Sequence, residues 1–252
     1  MRAMLRGAAA ALLLLVGAAP VLAQTADEII EKYLTASGGR EAMAKLSSRV
    51  STGSITLTSP VGDLKGTIEV DAKAPNKLRT VIHLDLTALG GGQVVQDQRF
   101  DGTTGYVIDS INGNREITGS QLDALRINVF PSPFLDYKSR GATAEVNGDE
   151  MVAGKPAYVL VVTMPGAGLP VRAFVDKDSF MMVRTSTKLS VPQAGGEIEQ
   201  VVDYSDFRDV DGVKLPFVAI STNPLQTVTA KFDSIRQNVD LEDAVFSKPA
   251  GQ

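Results

Sequence analysis

Few side chains in this chain could do covalent chemistry, and those few are badly spaced for it. There is one histidine, His83, and no cysteine. A nucleophilic triad would have to run through His83, which sits between Ile82 and Leu84 in an alternating run. No Gly-x-Ser-x-Gly elbow exists to present a serine to it. The lack of cysteine excludes thiol catalysis, thiolate metal sites and disulfides together. A histidine-based zinc site would lack its second ring. The acidic stretch Asp203 to Gly212 offers oxygens at loop-like spacing in Asp209-Val-Asp-Gly212. No glutamate follows where a calcium loop needs its bidentate ligand, so the stretch reads as a strand running into an Asp-Gly turn. Gly90-Gly-Gly92 has no Lys-Ser/Thr after it, and Gly166-Ala-Gly168 lacks a third glycine and a following helix. Neither is therefore a phosphate-binding loop. Paired carboxylates can hydrolyse glycosides, but such clefts stack sugars on aromatic rings, and here Trp is absent and Tyr numbers 5. The expectation is a protein that is not an enzyme, with no metal and no cofactor.

Composition narrows the setting. Arg2 and Arg6 precede an Ala/Leu-rich run from Ala8 to Val16, then Pro20 and Val21-Leu22-Ala23. That order is the make-up of a secretory signal peptide over residues 1–23, with cleavage before Gln24. Its apolar run is too short to cross a bilayer as a permanent helix, and no cysteine follows to be acylated. Export to the periplasm as a released protein is expected. The remaining residues, 24–252, carry no linker or like-charge run and read as a single domain, long enough to bury a core without staples. The whole chain has a formal net charge of −4 and no basic block. Nucleic acid and anionic headgroups are poor partners for such a surface.

The elements that must position any site read clearly. Thr25-Ala-Asp-Glu28 fits a capping box, and Ile29, Ile30, Tyr33 and Leu34 follow on one helical stripe until Gly38-Gly39. A short turn from Glu41 to Leu46 continues it. From Val50 the period becomes two. Strands are expected at about 51–58, 64–72, 77–87, 93–100, 104–110 and 114–117, separated by signals such as Asp101-Gly102 and Asn112-Gly113. Ser120 is expected to cap a helix from Gln121 to Val129, ended by Pro131-Ser-Pro133. Seven more strands follow, at about 143–151, 155–164, 171–176, 180–190, 197–209, 214–222 and 226–238. Tyr158 to Met164 is apolar on both faces and suits a central strand. Short connections favour antiparallel meanders. The fold class is α+β: one large antiparallel sheet with two helical elements.

Three cassettes add a resemblance. Gly66-Thr-Ile-Glu-Val-Asp-Ala-Lys-Ala-Pro-Asn-Lys-Leu-Arg79, Phe100-Asp-Gly-Thr-Thr-Gly-Tyr-Val-Ile-Asp109 and the terminal Phe246-Ser-Lys-Pro249 occur in an order that resembles the LolA/LolB-like superfamily of periplasmic lipoprotein carriers. The resemblance implies a large curved sheet, an open half-barrel, covered by short helices around a hydrophobic cavity for acyl chains. It also implies a lid held by an arginine before the proline of the first cassette. That position is Ala74 here, with Lys73 beside it.

A curved sheet cannot bring its own concave face into contact, so the helices would cover a space. Apolar candidates to line it are Ile29, Tyr33, Leu34, Leu122, Leu125 and Phe134 from helical segments. From strands they are Ile82, Leu84, Leu160, Val162, Met181, Val183, Val202, Tyr204 and Phe232. The reading is a monomeric periplasmic protein that binds and transports a hydrophobic ligand, a lipid or the acyl chains of a lipoprotein, with a membrane protein as transient donor or acceptor. Two rivals are a lipid-responsive envelope sensor that signals through a protein partner and a packed interaction domain with no cavity.

Overall fold

A computed structural model describes residues 24–60, 62–87, 90–166, 170–191 and 196–249. The expected signal peptide, residues 1–23, lies outside them. The chain opens with helices α1 (Ala26–Ala36) and α2 (Arg40–Ala44). Six strands follow: β1 (Ser48–Ser59), β2 (Gly62–Lys73), β3 (Lys77–Asp85), β4 (Gln93–Phe100), β5 (Gly105–Asp109) and β6 (Arg115–Ile117). Helix α3 (Gly119–Arg126) and a 3₁₀ turn (Tyr137–Arg140) then interrupt the strands. The second run is β7 (Thr143–Val152), β8 (Lys155–Thr163), β9 (Pro170–Asp176), β10 (Met182–Val191), β11 (Gly196–Val210), β12 (Val213–Asn223) and β13 (Gln226–Gln237). A last 3₁₀ turn spans Asp243–Phe246.

All of the strands join one 13-stranded sheet, in the order β6-β5-β4-β3-β2-β1-β13-β12-β11-β10-β9-β8-β7. Two antiparallel meanders meet where β1 pairs with β13, from Arg49 opposite Gln237 to Thr58 opposite Thr227. The sheet is not closed; β6 and β7 are its edges. Among the described residues no helix is long and apolar enough to cross a membrane.

Helix α1 forms for the reason its sequence gives. The Glu28 N–H donates to Thr25 Oγ1, and the Thr25 N–H donates to Glu28 Oε2 at 2.8 Å. Its apolar stripe, Ile29, Ile30 and Leu34, is fully buried. The helix ends at two glycines in positive φ, Gly38 (φ 122°) and Gly39 (φ 92°). A Cβ on Gly38 would lie 2.1 Å from the Gly212 carbonyl oxygen, so this end docks directly on the β11–β12 turn. The Lys214 N–H then donates to the Ser37 carbonyl at 2.9 Å.

Two expectations need correction. Helix α3 begins and ends earlier than the apolar spacing suggests, stopping at Arg126. Thr118 is its extended N-cap, without a side-chain hydrogen bond, and Ser120 lies inside the helix. Pro131 and Pro133 disfavour helical backbone in the residues before them, and the Phe130 N–H leaves the helix to donate to the Pro75 carbonyl at 2.9 Å. Strand β8 is not central but next to the edge. It is apolar on both faces because Leu160 and Val162 lie under the helices, while Ala157 and Val159 join Val152 and Phe174 on the outer face.

The outer face is also covered, by the C-terminal segment. The 3₁₀ turn packs on β3 and β4, with Phe246 1% exposed. Asp243 pairs with Lys73 at 2.8 Å and Lys77 at 2.7 Å, and Arg99 Nη1 donates to the Ser247 carbonyl. Beneath it Arg79 grips Asp97 with Nε at 3.0 Å and Nη2 at 2.9 Å. Burial pushes Asp97 upward, but hydrogen bonds from Arg79 and Arg99 outweigh it and hold the carboxyl below its usual range.

Two outcomes follow from this packing. Gly38→Ala combines a forbidden φ with a backbone clash, and urea unfolding should show a loss of about 2–4 kcal/mol. Hydrogen bonds from Lys73 and Lys77 hold Asp243 at about 2, below the usual carboxylate range. A depressed carboxylate stabilises fully above its unfolded value and ceases to do so as pH falls through the folded one. Amide protection over residues 243–247 should therefore be constant above about pH 4 and decline toward pH 2.

Candidate functional site

The helices fill the concave face at its two ends and leave the middle open. At one end α1, α2 and the segment from Phe130 to Ala142 close over β8, β9 and the start of β12. At the other end Leu125 of α3 joins Phe100, Val107 and Ile117. Between these cores lies a cavity of about 960 Å³. Its roof is α3 (Gln121, Ala124, Leu125) and the stretch Ile127 to Phe134. Its floor runs across the sheet from Val70 and Ala72, past Ser51 and Ile235, to Phe232, Ala219, Val202 and Leu189. Val162, Met164, Ala173 and Leu215 belong both to the first core and to the cavity wall. The hollow is thus a continuation of the core into which no side chain extends.

Leu125, Phe134, Val162, Val202, Tyr204 and Phe232 of the sequence candidates line the cavity. Ile29, Leu34 and Leu160 are instead packed solid in the first core. Tyr33 packs against it, its ring edge-on to Phe134 at 5.3 Å between centroids. Met181 is buried beside the end of α1, accepting from Ser37 Oγ. Leu122 packs against the second core. Ile82 and Leu84 share the concave face but sit beyond the cavity, in an apolar patch with Ile55, Ile68 and Ala230. Val70 and Phe232 connect that patch to the cavity. Val183 packs on the outer face with Val159 and Phe174. A register shift between Met182 and Arg184 breaks the alternation there and turns Met182 inward.

Sequence reasoning missed the polar part of the wall. Arg49, Lys77 and Arg115 line the cavity, and none of the described lining residues is Asp or Glu. Lys77 is answered by Asp243, and Arg115 lies 3.6 Å from Asp109. Arg49 forms no ion pair among the described residues, and its Nε is buried with no hydrogen-bond partner. The guanidinium stacks over the Phe130 ring, 5.2 Å from its centroid. Burial draws Arg49 down to about 10, with the Tyr33 hydroxyl acting the other way, so the group stays cationic at neutral pH. Burial likewise raises Tyr33, against hydrogen bonding with Ser132 and Ser37, and raises Tyr204, which shares a hydrogen with Thr185 Oγ1 at 3.2 Å. One signal could have found Arg49: it holds the same alternating register on β1 as Ser51 and Ile55.

His83 is exposed on the opposite face, beside Thr67, Glu69 and Val81. Asp211 and Gly212 form a tight turn with φ 52° and 81°, as the sequence suggested. Among the described residues no group of three or more His, Cys, Asp or Glu could hold a metal ion.

A thirteen-stranded open sheet, covered on one face by short helices around a hollow, defines the architectural class: an open half-barrel. No family model and no curated protein matches the sequence. Solved structures do match the fold. A DUF1329 family protein from Desulfovibrio piger superposes with a TM-score of 0.57 at 15% identity, over 90% of this chain and 99% of that one. A LolA superfamily protein from Nitrosomonas europaea gives 0.56 at 16% identity, over 90% and 99%. A putative outer membrane lipoprotein-sorting protein domain from Vibrio parahaemolyticus gives 0.55 at 11% identity, over 86% and 97%. The chain has a LolA-like fold.

The unpaired cation is expected to weaken the fold. Replacing a half-buried, unmatched charge by an apolar chain of similar length removes a desolvation cost. Arg49→Met should raise the urea midpoint, with a gain of about 1–3 kcal/mol.

Proposed function

We propose that this protein is a non-catalytic periplasmic carrier that binds a hydrophobic ligand in the concave cavity and moves it between membranes. It would act as one domain over residues 24–252, as a monomer, after removal of residues 1–23. The observation that carries the proposal is the cavity of about 960 Å³ walled by apolar side chains continuous with the core. That volume falls in the range of small-molecule sites, and each methylene transferred into it from water would gain about 0.8 kcal/mol. The mouth has an apolar step as well, since the lining residue Leu225 is 51% exposed. One of the similar structures is described as a lipoprotein-sorting domain, which favours acyl chains as cargo and a membrane-bound donor or acceptor as partner.

The Phe130 to Phe134 stretch is the element that would move. It is tied down by the Phe130 N–H to Pro75 hydrogen bond and by ring contacts with Arg49 and Tyr33. Two backbone atoms do this work beside Ala74, where a side-chain donor is lacking.

Ala219 faces the cavity from the floor. Ala219→Trp should fill part of the space and abolish saturable uptake of a fluorescent fatty acid, with an unchanged circular dichroism spectrum. Native mass spectrometry of freshly purified wild type should show co-purified lipid or acylated species that the variant lacks. Bare protein under gentle conditions, with no saturable uptake, would overturn the carrier reading.

A further inference from the structure

The cavity is largely apolar yet holds one cation that no described residue neutralises. Arg49 forms no ion pair among the described residues, and its Nε is buried without a partner. Directly opposite on β13 stands Gln237, whose Oε1 is also buried without a donor. That amide is neutral, and its nitrogen is already donated to the Val210 carbonyl. Gln237 can therefore satisfy one N–H of the guanidinium but cannot balance its charge. The other two cations of the wall, Lys77 and Arg115, already face Asp243 and Asp109. No lining carboxylate is left to move across to Arg49.

Retaining an unmatched charge in such a place is costly, and burial alone does not explain it. A ligand carrying one negative charge would remove the cost. We propose that Arg49 is the headgroup anchor of the cavity, and that the preferred ligand is a long-chain carboxylate whose acyl tail runs along the apolar floor toward Leu225. This rests on the carrier reading above and specifies its ligand class. The guanidinium presents a planar fork that pairs with a carboxylate through two hydrogen bonds. A phosphomonoester would bring a second negative charge with no second free cation. A zwitterionic phospholipid would bring an ammonium into a wall that has no acid to receive it. The acidic surface of the molecule does not oppose this choice, because the headgroup meets the local field of the cavity, where exposed charges are largely screened.

The test compares palmitate, 1-hexadecanol and hexadecylamine, each displacing the neutral fluorophore 1-aminoanthracene from the full mature chain near neutral pH. Palmitate should bind wild type roughly ten- to a hundredfold more tightly than hexadecanol, the span expected for hydrogen bonds to a charged group. Hexadecylamine should bind most weakly. Arg49→Met should bring palmitate down to the level of hexadecanol, and Arg49→Lys should keep part of the preference. Equal affinities of palmitate and hexadecanol for wild type would overturn the headgroup assignment while the carrier reading stands. A palmitate preference that survives in Arg49→Met would overturn it too. Failure of all three amphiphiles and of the fluorophore to bind would overturn both. Should Arg49→Met lose its native spectrum, the wild-type comparison and Arg49→Lys decide the matter.

Discussion

The antiparallel pairing of β1 with β13 is the constraint on which the other features depend. It brings residues nearly two hundred positions apart into register, Arg49 against Gln237 and Ser51 against Ile235. Without it the chain would be two separate meanders, each with an extra unpaired edge. With it they become one sheet of thirteen strands, whose twist makes a concave face too wide for its own side chains to fill. Three short helices and a proline-bounded segment are all that the described chain supplies to cover that face. They close its two ends, and the hollow is what remains between them.

The two faces of the sheet manage charge in opposite ways. On the outer face arginines and carboxylates alternate across β2, β3 and β4, so that Arg79 is held between Asp71 and Asp97 and Arg99 shares Asp97. Asp71, Arg79, Asp97 and Arg99 each have a partner there. Desolvation still raises Asp71, the most deeply set of the group, with Glu69 adding to it. The described lining of the concave cavity has cations and no acids. Burial raises the phenol of Tyr204 in that wall, and that of Tyr33 in the adjoining core.

Much of the fold was legible in the chain. Strand positions followed from alternation and from Asp-Gly and Asn-Gly turns, and helix α1 from its capping box and apolar stripe. Helix α3 was overextended, because apolar spacing continued to Val129 while Pro131 and Pro133 were already turning the backbone away. The site was legible only in part. Leu125, Phe134, Val202 and Phe232 were found as apolar residues of the right period, but so were Ile29 and Leu160, which are packed solid. Val183 fell on the wrong face because a bulge after Met182 resets parity, and a two-residue period does not announce a bulge. Arg49 was passed over because a single basic residue at the start of a strand looks like a solvated end.

The sequence by itself determined most of the elements and, away from bulges, which strand positions share a face. These depend on interactions within a few residues, where period, turn chemistry and capping act. Tertiary structure alone decided which apolar residues face one another and which face empty space, because that depends on the distance between elements far apart in the chain. It also decided that Arg49 has no counter-ion among the described residues. Whether a charge is paired is set by what β13, α1 and the Phe130 segment bring near it, and none of that is written beside it in the sequence.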